Sequence, residues 1–295
     1  MPQLVNPESL VAANRGYSAV FRDALVGHTE NTFEEITQQL PMESEIIDLP
    51  ALGSIRGLRK WAGDRQFQAL KATGYQMISE IFEDSIEVPR KAMEDDTWNL
   101  WTDGARALGR KTAEFPDQLV YQKLELGETG VGIDKVAFFS ASHPVGNSVF
   151  SNLSGTNNPP WYLFDTSHIE KPMLLGNHGV PIFEDSAEAL FKKDMYQYGV
   201  RVRKGVQYGV PHLAYKSKAA LDATAFNAAY ATMMQYKDEF GESLGVIPRV
   251  LMVPPVLRAA ALAIVSTQYI GGNSNPNFGI VKLVVNHRLT NSNVV

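Results

Sequence analysis

The sequence predicts an α+β fold in which a long helix and a set of extended strands are followed by a small α/β module. Three observations carry this. Apolar residues return at helical spacing from Trp98 through Trp101, Ala105 and Leu108 to Thr112. The run MYQYGVRVRKGVQYGVPHLAY alternates Val200 and Val202 with Arg201 and Arg203, the period-2 pattern of a strand with one buried face. From Asp222 onward, helical and extended patterns alternate.

Taken in order, the first element is an amphipathic arm. Asn6 followed by Pro7 is a helix start, because an Asx side chain caps free amides and proline's fixed φ suits the first turn. Leu10, Tyr17, Val20, Phe21 and Leu25 then recur at near-helical intervals. Residues 43–89 read as two extended stretches around a short basic helical piece. Polar residues dominate there, so this segment is expected to project and to find its partners elsewhere.

Asp96 is a good N-cap for a helix over 97–126, and Leu119, Val120 and Leu124 continue its rhythm to Gly127. At about 1.5 Å per residue such a helix spans roughly 45 Å. Pro116 removes the bond back to Thr112, so a kink or a break is expected there. Gly127 to Pro160 is loop-rich. WYLFDTSHIEKPMLLG reads as extended, and the charged stretch 184–196 as irregular. Then come a helix carrying Phe226, Tyr230 and Met233, a strand at Val250–Val253, a helix from Pro255 to Thr267 and a strand at 280–287. No internal repeat or low-complexity tract is visible.

With 295 residues, 44% of them hydrophobic, the chain can bury a substantial core as one large domain or two modest ones sharing a sheet. A net charge of -5 argues against a surface that grips nucleic acid by neutralising many phosphates. The absence of cysteine excludes disulfides and thiolate metal sites, which fits a reducing compartment. Apolar runs such as Ala259 to Val265 are too short to cross a membrane, and MPQLVNPESL carries no basic head before an apolar block. A soluble, intracellular protein is the expectation.

One short stretch contains the parts of a hydrolase. In FFSASHPVGNS, Ser140, Ser142 and Ser148 supply hydroxyls, His143 a base, and Asp134 lies just upstream. Sequence neighbours cannot form a triad, however, since its members must converge from separate positions on a rigid scaffold. No GxSxG elbow surrounds either serine, and the proline after His143 holds that residue extended. A polar loop is the simpler reading. His28, His168, His178, His212 and His287 show no HxH or HExxH spacing, so no metal site is expected.

Glu94, Asp95 and Asp96 fit the start of a helix, where the macrodipole stabilises carboxylates. Arg56, Arg59, Lys60 and Arg65 could meet phosphates, but around Trp61 in a projecting segment they suit a protein contact. ETGVG (128–132) lacks the glycines and lysine of a phosphate loop, and GGNSNPNFG (271–279) is a turn-rich loop. No nucleotide fingerprint is present and no cofactor is expected.

The whole pattern resembles the major head (capsid) protein family of Mu-like tailed phages, built on the Hong Kong 97-type capsid fold. The stretches that carry the resemblance run nearly end to end: NPESLVAANRGYSAVF, LRKWAGDRQFQAL, FEDSIEVPRKAMEDD, ALGRKTAEFPDQLVYQKLELG, FFSASHPV, SNLSG, WYLFDTSHIEKPMLLG, YQYGVRVRKGVQYG, RVLMVPPVLRAAA and NPNFGIVKLVV. Each is weak alone, and ten in order are specific. Pro211 and His212 depart from it, standing where the family pattern leads to an aromatic residue or glutamine.

The resemblance implies a non-enzymatic shell protein. Residues 1–42 would form an N-terminal arm, 43–89 an extended loop, 90–128 and 160–212 a peripheral domain with the spine helix, and 129–159 and 213–295 an axial domain. FFSASHPVGNS would be a structural loop. Copies would assemble as hexamers and pentamers around axial-domain loops into an icosahedral head holding double-stranded DNA by weak contacts. Portal, scaffold or protease, and minor or cement capsid proteins, are the other implied partners, with assembly in the host cytoplasm and no membrane.

Several finer expectations follow. The mature chain should keep its start near Met1 or Pro2. At least one of Arg56, Arg59, Lys60 and Arg65 should pair between subunits with Glu94, Asp95 or Asp96. The competing readings are a nanocompartment shell protein of the same fold and a serine hydrolase.

Overall fold

Two five-stranded sheets and one long helix carry the architecture. The structure, a computed structural model, describes residues 7–52, 72–95, 100–146, 148–186 and 192–289. The chain opens with helix α1 (Pro7–Gly27) and, after a 3-10 turn at Phe33–Glu35, enters strand β1 (Thr37–Pro41). Strands β2 (Ile46–Leu52) and β3 (Ala72–Ile78) form an antiparallel ribbon of their own. Past Ser79 the chain continues as β4 (Glu80–Pro89), then the short helix α2 (Arg90–Glu94) and the long helix α3 (Leu100–Glu125).

Short strands follow: β5 (His143–Val145), β6 (Ser148–Phe150) and β7 (Leu153–Gly155). Then come β8 (Trp161–Phe164), β9 (Met173–Asn177), β10 (Ile182–Asp185), β11 (Met195–Tyr208) and β12 (Ala214–Lys218). The last part holds helix α4 (Ala223–Met234), β13 (Val250–Val253), helix α5 (Arg258–Val265), the hairpin β14 (Tyr269–Ile270) and β15 (Asn273–Ser274), and β16 (Lys282–Val285). Asp222 caps α4 by accepting from the Ala225 amide.

The first sheet is organised by β11. Strand β4 runs along one of its edges, while β10 and β9 occupy the other and β1 joins β9 in parallel. The alternation seen in the sequence is real: Tyr196, Tyr198, Val200 and Val202 are buried and Arg201 is exposed. That buried face receives both helices, with Phe21 of α1 and Leu108 of α3 packed on Val200 and Val202. Gly109 permits the crossing, because a Cβ there would stand 2.5 Å from the Phe21 carbonyl oxygen.

In the second sheet, ordered β16-β13-β8-β12-β7, the inner strands are buried on both faces. Two of them, β8 and β13, therefore read as continuous apolar runs, WYLF and VLMV, with every residue buried. Tyr162, Phe164, Val250 and Met252 face a core that also contains Val120, Tyr121 and Leu124 of α3 and Tyr208 of β11. Trp161, Leu163, Leu251 and Val253 face the opposite way, toward Phe226 and Met233 of α4 and Ile264 of α5. One core thus passes between the sheets and binds them together.

At Pro116, where a kink or a break is expected, α3 runs on unbroken, and the carbonyl of neighbouring Ala113 accepts from Asn31 Nδ2 at 2.9 Å. Three expectations are corrected. Residues 80–89, read as part of the projecting loop, are a ladder partner of β11 from Glu80 to Pro89. Residues 161–164, read with the peripheral segment, lie between β13 and β12 in the second sheet, so the chain changes sheet after Phe164. Finally, 184–196 is not irregular throughout, since β10 extends to Asp185 and β11 begins at Met195.

Candidate functional site

Of the residues singled out for a subunit contact, Arg56, Arg59, Lys60, Trp61, Arg65 and Asp96 lie outside the described residues. Glu94 closes α2, and the Asp95 amide donates to the Lys91 carbonyl at 3.0 Å. Asp95 therefore follows the C-terminal end of a short helix, where the macrodipole does not favour a carboxylate. The first described residue of α3 is Leu100, and the carboxylate in its first turn is Asp103, paired with Arg106.

Among the described residues of 43–89, the strands outside the larger sheets form the β2–β3 ribbon. Its root is fixed: the Ser79 amide donates to the Glu45 carbonyl at 2.8 Å, and Tyr75 Oη donates to the Tyr208 carbonyl at 2.6 Å. Arg203 Nε donates to Ser79 Oγ at 3.0 Å, and Met42, Met77 and Leu174 pack beneath. Beyond that root, neither edge of the ribbon has a third strand among the described residues. A two-stranded ribbon with open edges is a weak unit by itself and a template for further contact.

Apolar side chains are also exposed away from the ribbon. Ile169 is 85% exposed in the loop after β8, and Val180 is 82% exposed where the chain bulges between β9 and β10. Tyr269 and Ile270 on the β14–β15 hairpin are exposed, as is nearby Phe278.

Two polar knots keep the body rigid behind these surfaces. Asp117 of α3 accepts from the amides of Thr32 and Phe33 at 2.9 and 2.8 Å, while Thr32 Oγ1 lies 2.7 Å from Tyr121 Oη. Asn286 Nδ2 donates to the same Thr32 hydroxyl at 2.7 Å, and Arg288 reaches Glu114 at 3.2 Å, so the end of the chain is tied to α3. Just past the C-terminal end of α3, Glu128 receives Lys216 at 2.6 Å and Lys218 at 2.7 Å. The sequence shows no sign of this cluster, because Lys218 and Glu128 are 90 residues apart.

The triad-like parts form a third knot. His143 is fully buried, with Nδ1 at 2.5 Å from Asp134 Oδ2 and Nε2 at 3.0 Å from Asn152 Oδ1. An amide oxygen thus occupies the place a nucleophilic hydroxyl would need. Ser140 Oγ accepts from the Ser142 amide instead, and Ser148 is exposed. The expectation of a polar loop needs correcting here: the imidazole is an internal strut, stacked 4.7 Å from Phe150. Asn152, which completes it, carried no signal in the sequence. Among the described residues no group of His, Asp and Glu is placed to hold a metal ion, and no helix is long and apolar enough to cross a membrane.

A family model described as the Mu-like prophage major head subunit gpT matches residues 10–289. The Mu-like prophage FluMu major head subunit of Haemophilus influenzae is 28% identical over 277 residues, covering 87% of this chain and 88% of that protein. The major capsid protein of Escherichia phage Mu is 27% identical over 301 residues, covering 96% and 98%. In solved structures, the procapsid of bacteriophage JBD30 matches with a TM-score of 0.83 at 30% identity, over 97% of this chain and 100% of that one. These relatives are structural head proteins, and the fold is the Hong Kong 97-type capsid fold. The chain therefore belongs to the Mu-like prophage major head subunit family and is a major capsid protein of a Mu-like phage head.

Proposed function

We propose that this capsid protein assembles as hexamers and pentamers into a closed icosahedral head around a double-stranded DNA genome, and that it has no catalytic role. The observation that carries the reading is the near full-length match to a procapsid subunit, joined to a ribbon whose edges have no partner among the described residues. An exposed two-stranded ribbon gains stability only when a neighbour covers it. Many weak copies of one contact then close a shell under symmetry. A net charge of -5 favours DNA that slides past the protein over DNA that sticks to it.

The proposed division of labour follows the sheets. The β11 sheet with α1 and α3 forms the peripheral unit, the β2–β3 ribbon is the extended loop, and the β13 sheet with α4 and α5 forms the axial unit. The exposed Tyr269–Ser274 hairpin fits a contact around a capsomer axis. Within the host bacterial cytoplasm, portal, scaffold or protease would take part in assembly, and minor or cement proteins could add to the finished shell. Electron microscopy of the purified protein, or of the particles that contain it, tests this directly. Closed shells with six- and fivefold capsomers are expected; a monodisperse monomer with an ordered ribbon would sink the proposal.

A further inference from the structure

Strand β4 has an open edge and an open flank. It pairs with β11, and among the described residues no strand lies along its other edge. On the helical side of the sheet, α1 covers the β10 flank, with Phe21 against Phe183 at 4.9 Å. Over Phe82–Asp84 no second helix lies among the described residues, and a groove of about 250 Å³ is left between β4 and α3. Phe82 and Phe115, edge to face at 4.7 Å, line it together with Val200, Glu83, Asp84 and Lys111.

The strand beside this groove is acidic. Glu80, Glu83, Asp84 and Glu87 stand in EIFEDSIEVP without a base. Glu83 and Glu87 accept from uncharged donors, Ser85 Oγ at 3.0 Å and Gln197 Nε2 at 2.8 Å, and Asp84 is exposed. The opposing charge, Lys111 on α3, is outnumbered. Aromatic walls beside exposed carboxylates suit a segment that is basic and carries large apolar side chains. Residues 56–71 have that composition: Arg56, Arg59, Lys60, Arg65 and Lys71 stand against Asp64 alone, with Trp61 and Phe67 among them.

A copy cannot reach its own groove with this segment. Strands β3 and β4 continue as one line along β11: past the β4 ladder, Gln207 Nε2 donates to the Gln76 carbonyl at 3.0 Å and Tyr75 Oη to the Tyr208 carbonyl at 2.6 Å. The ribbon therefore leaves the sheet at the end away from Glu87. Extended strand at about 3.3 Å per residue puts Ala72 roughly 40 Å from Asp84. A fully stretched backbone leaving Leu52 carries Arg59 no farther than about 25 Å, and the same limit holds from Ala72 back to Arg65.

We propose that the groove between β4 and α3 receives residues 56–71 of a second copy, with Trp61 seated against Phe82 and Phe115 and the basic side chains facing Glu83 and Asp84. This docking rests on the assembly reading above and gives the ribbon's far end a defined seat.

The test uses the absence of cysteine from the chain, so that introduced thiols report on this contact alone. Particles of Lys60→Cys with Asp84→Cys, treated with a short bis-maleimide, are expected to give a ladder of linked chains on a denaturing gel, while each single variant runs as one chain. Closed particles without the ladder, or with a link closed inside one chain, overturn the docking and leave the assembly reading standing. If the double variant does not assemble, electron microscopy of the parent particles decides: residues 56–71 should lie over β4 of another copy, and any other segment in that groove overturns the proposal. A parent chain that forms no particles overturns the assembly reading and the docking with it.

Discussion

Lys216 Nζ lies 2.6 Å from Glu128 Oε1, although only 1% of the Lys216 side chain is exposed. The ammonium also stands over the rings of Phe139 and Tyr162, at 5.7 and 5.6 Å from their centroids. Glu128 sits in the 3-10 turn after α3 and Lys216 in the second sheet, so the pair fastens the long helix to that sheet. Burial raises the Glu128 carboxyl, but the two lysines outweigh it and hold it below its ordinary value. Lys216 is pushed down by burial despite its carboxylate partner.

Glu128→Gln is therefore expected to destabilise the protein. Removing one member of a buried pair costs about 3–5 kcal/mol, and the partial exposure of Glu128 brings the expected loss to about 2 kcal/mol. The depressed carboxyl contributes stability above the ordinary carboxylate value and loses it as pH falls through its folded value. Unfolding scans from pH 7 to pH 3 check both points. The gap between the parent and E128Q should narrow in acid, and an equal gap at every pH would show that the pair acts through shape alone.

His212 has the opposite relation to acid. With a folded value of about 4 against an ordinary 6.5, the unfolded chain binds the extra proton first. Stability should fall as pH drops from about 6.5 to about 4, by at most ~1.4 kcal/mol per pH unit. His212→Phe should flatten that limb, read as the pH dependence of the melting temperature. An unchanged slope in H212F would assign the acid sensitivity elsewhere.

Gly109 and Gly16 make a matched pair of tests. Both are helical, but only Gly109 meets another helix: its added Cβ would sit 2.5 Å from the Phe21 carbonyl oxygen, while at Gly16 nothing lies within 4 Å. Gly16→Ala should gain up to about 1 kcal/mol from helix propensity. Gly109→Ala forces the helices apart, and an overpacking cost of about 1–3 kcal/mol should outweigh the same gain. Thermal melts decide it, and a stabilised G109A would mean that α1 does not need its close seat on α3.

The proposed subunit contact is tested by reversing charge. Arg59→Glu with Lys60→Glu should reduce assembly, measured by sedimentation, while circular dichroism shows a folded subunit. Asp95→Lys with Asp96→Lys in the same chain should partly restore it. One exposed pair contributes only about 0–1 kcal/mol, but the shell repeats it in every subunit. Normal particles from the double reversal would remove the pairing idea.

Local pattern determined much of this protein. The periodicity of Trp101, Ala105 and Leu108 and the alternation at Val200 and Val202 each report a repeat between near neighbours, and helix and strand formed where they point. Tertiary structure decided what depends on partners far along the chain. Glu80–Pro89 reads as wet and free because its ladder partner is β11, more than a hundred residues later. Trp161–Phe164 shows apolar residues without showing which sheet would take both its faces. His143 looked like a loop residue beside serines until Asn152 arrived at its second nitrogen, and nothing near Lys216 in the sequence marks its burial beside Glu128 over two rings. A buried polar group is stable only with its partner in place, and that partner is set by the packing of distant segments, which no local spacing records.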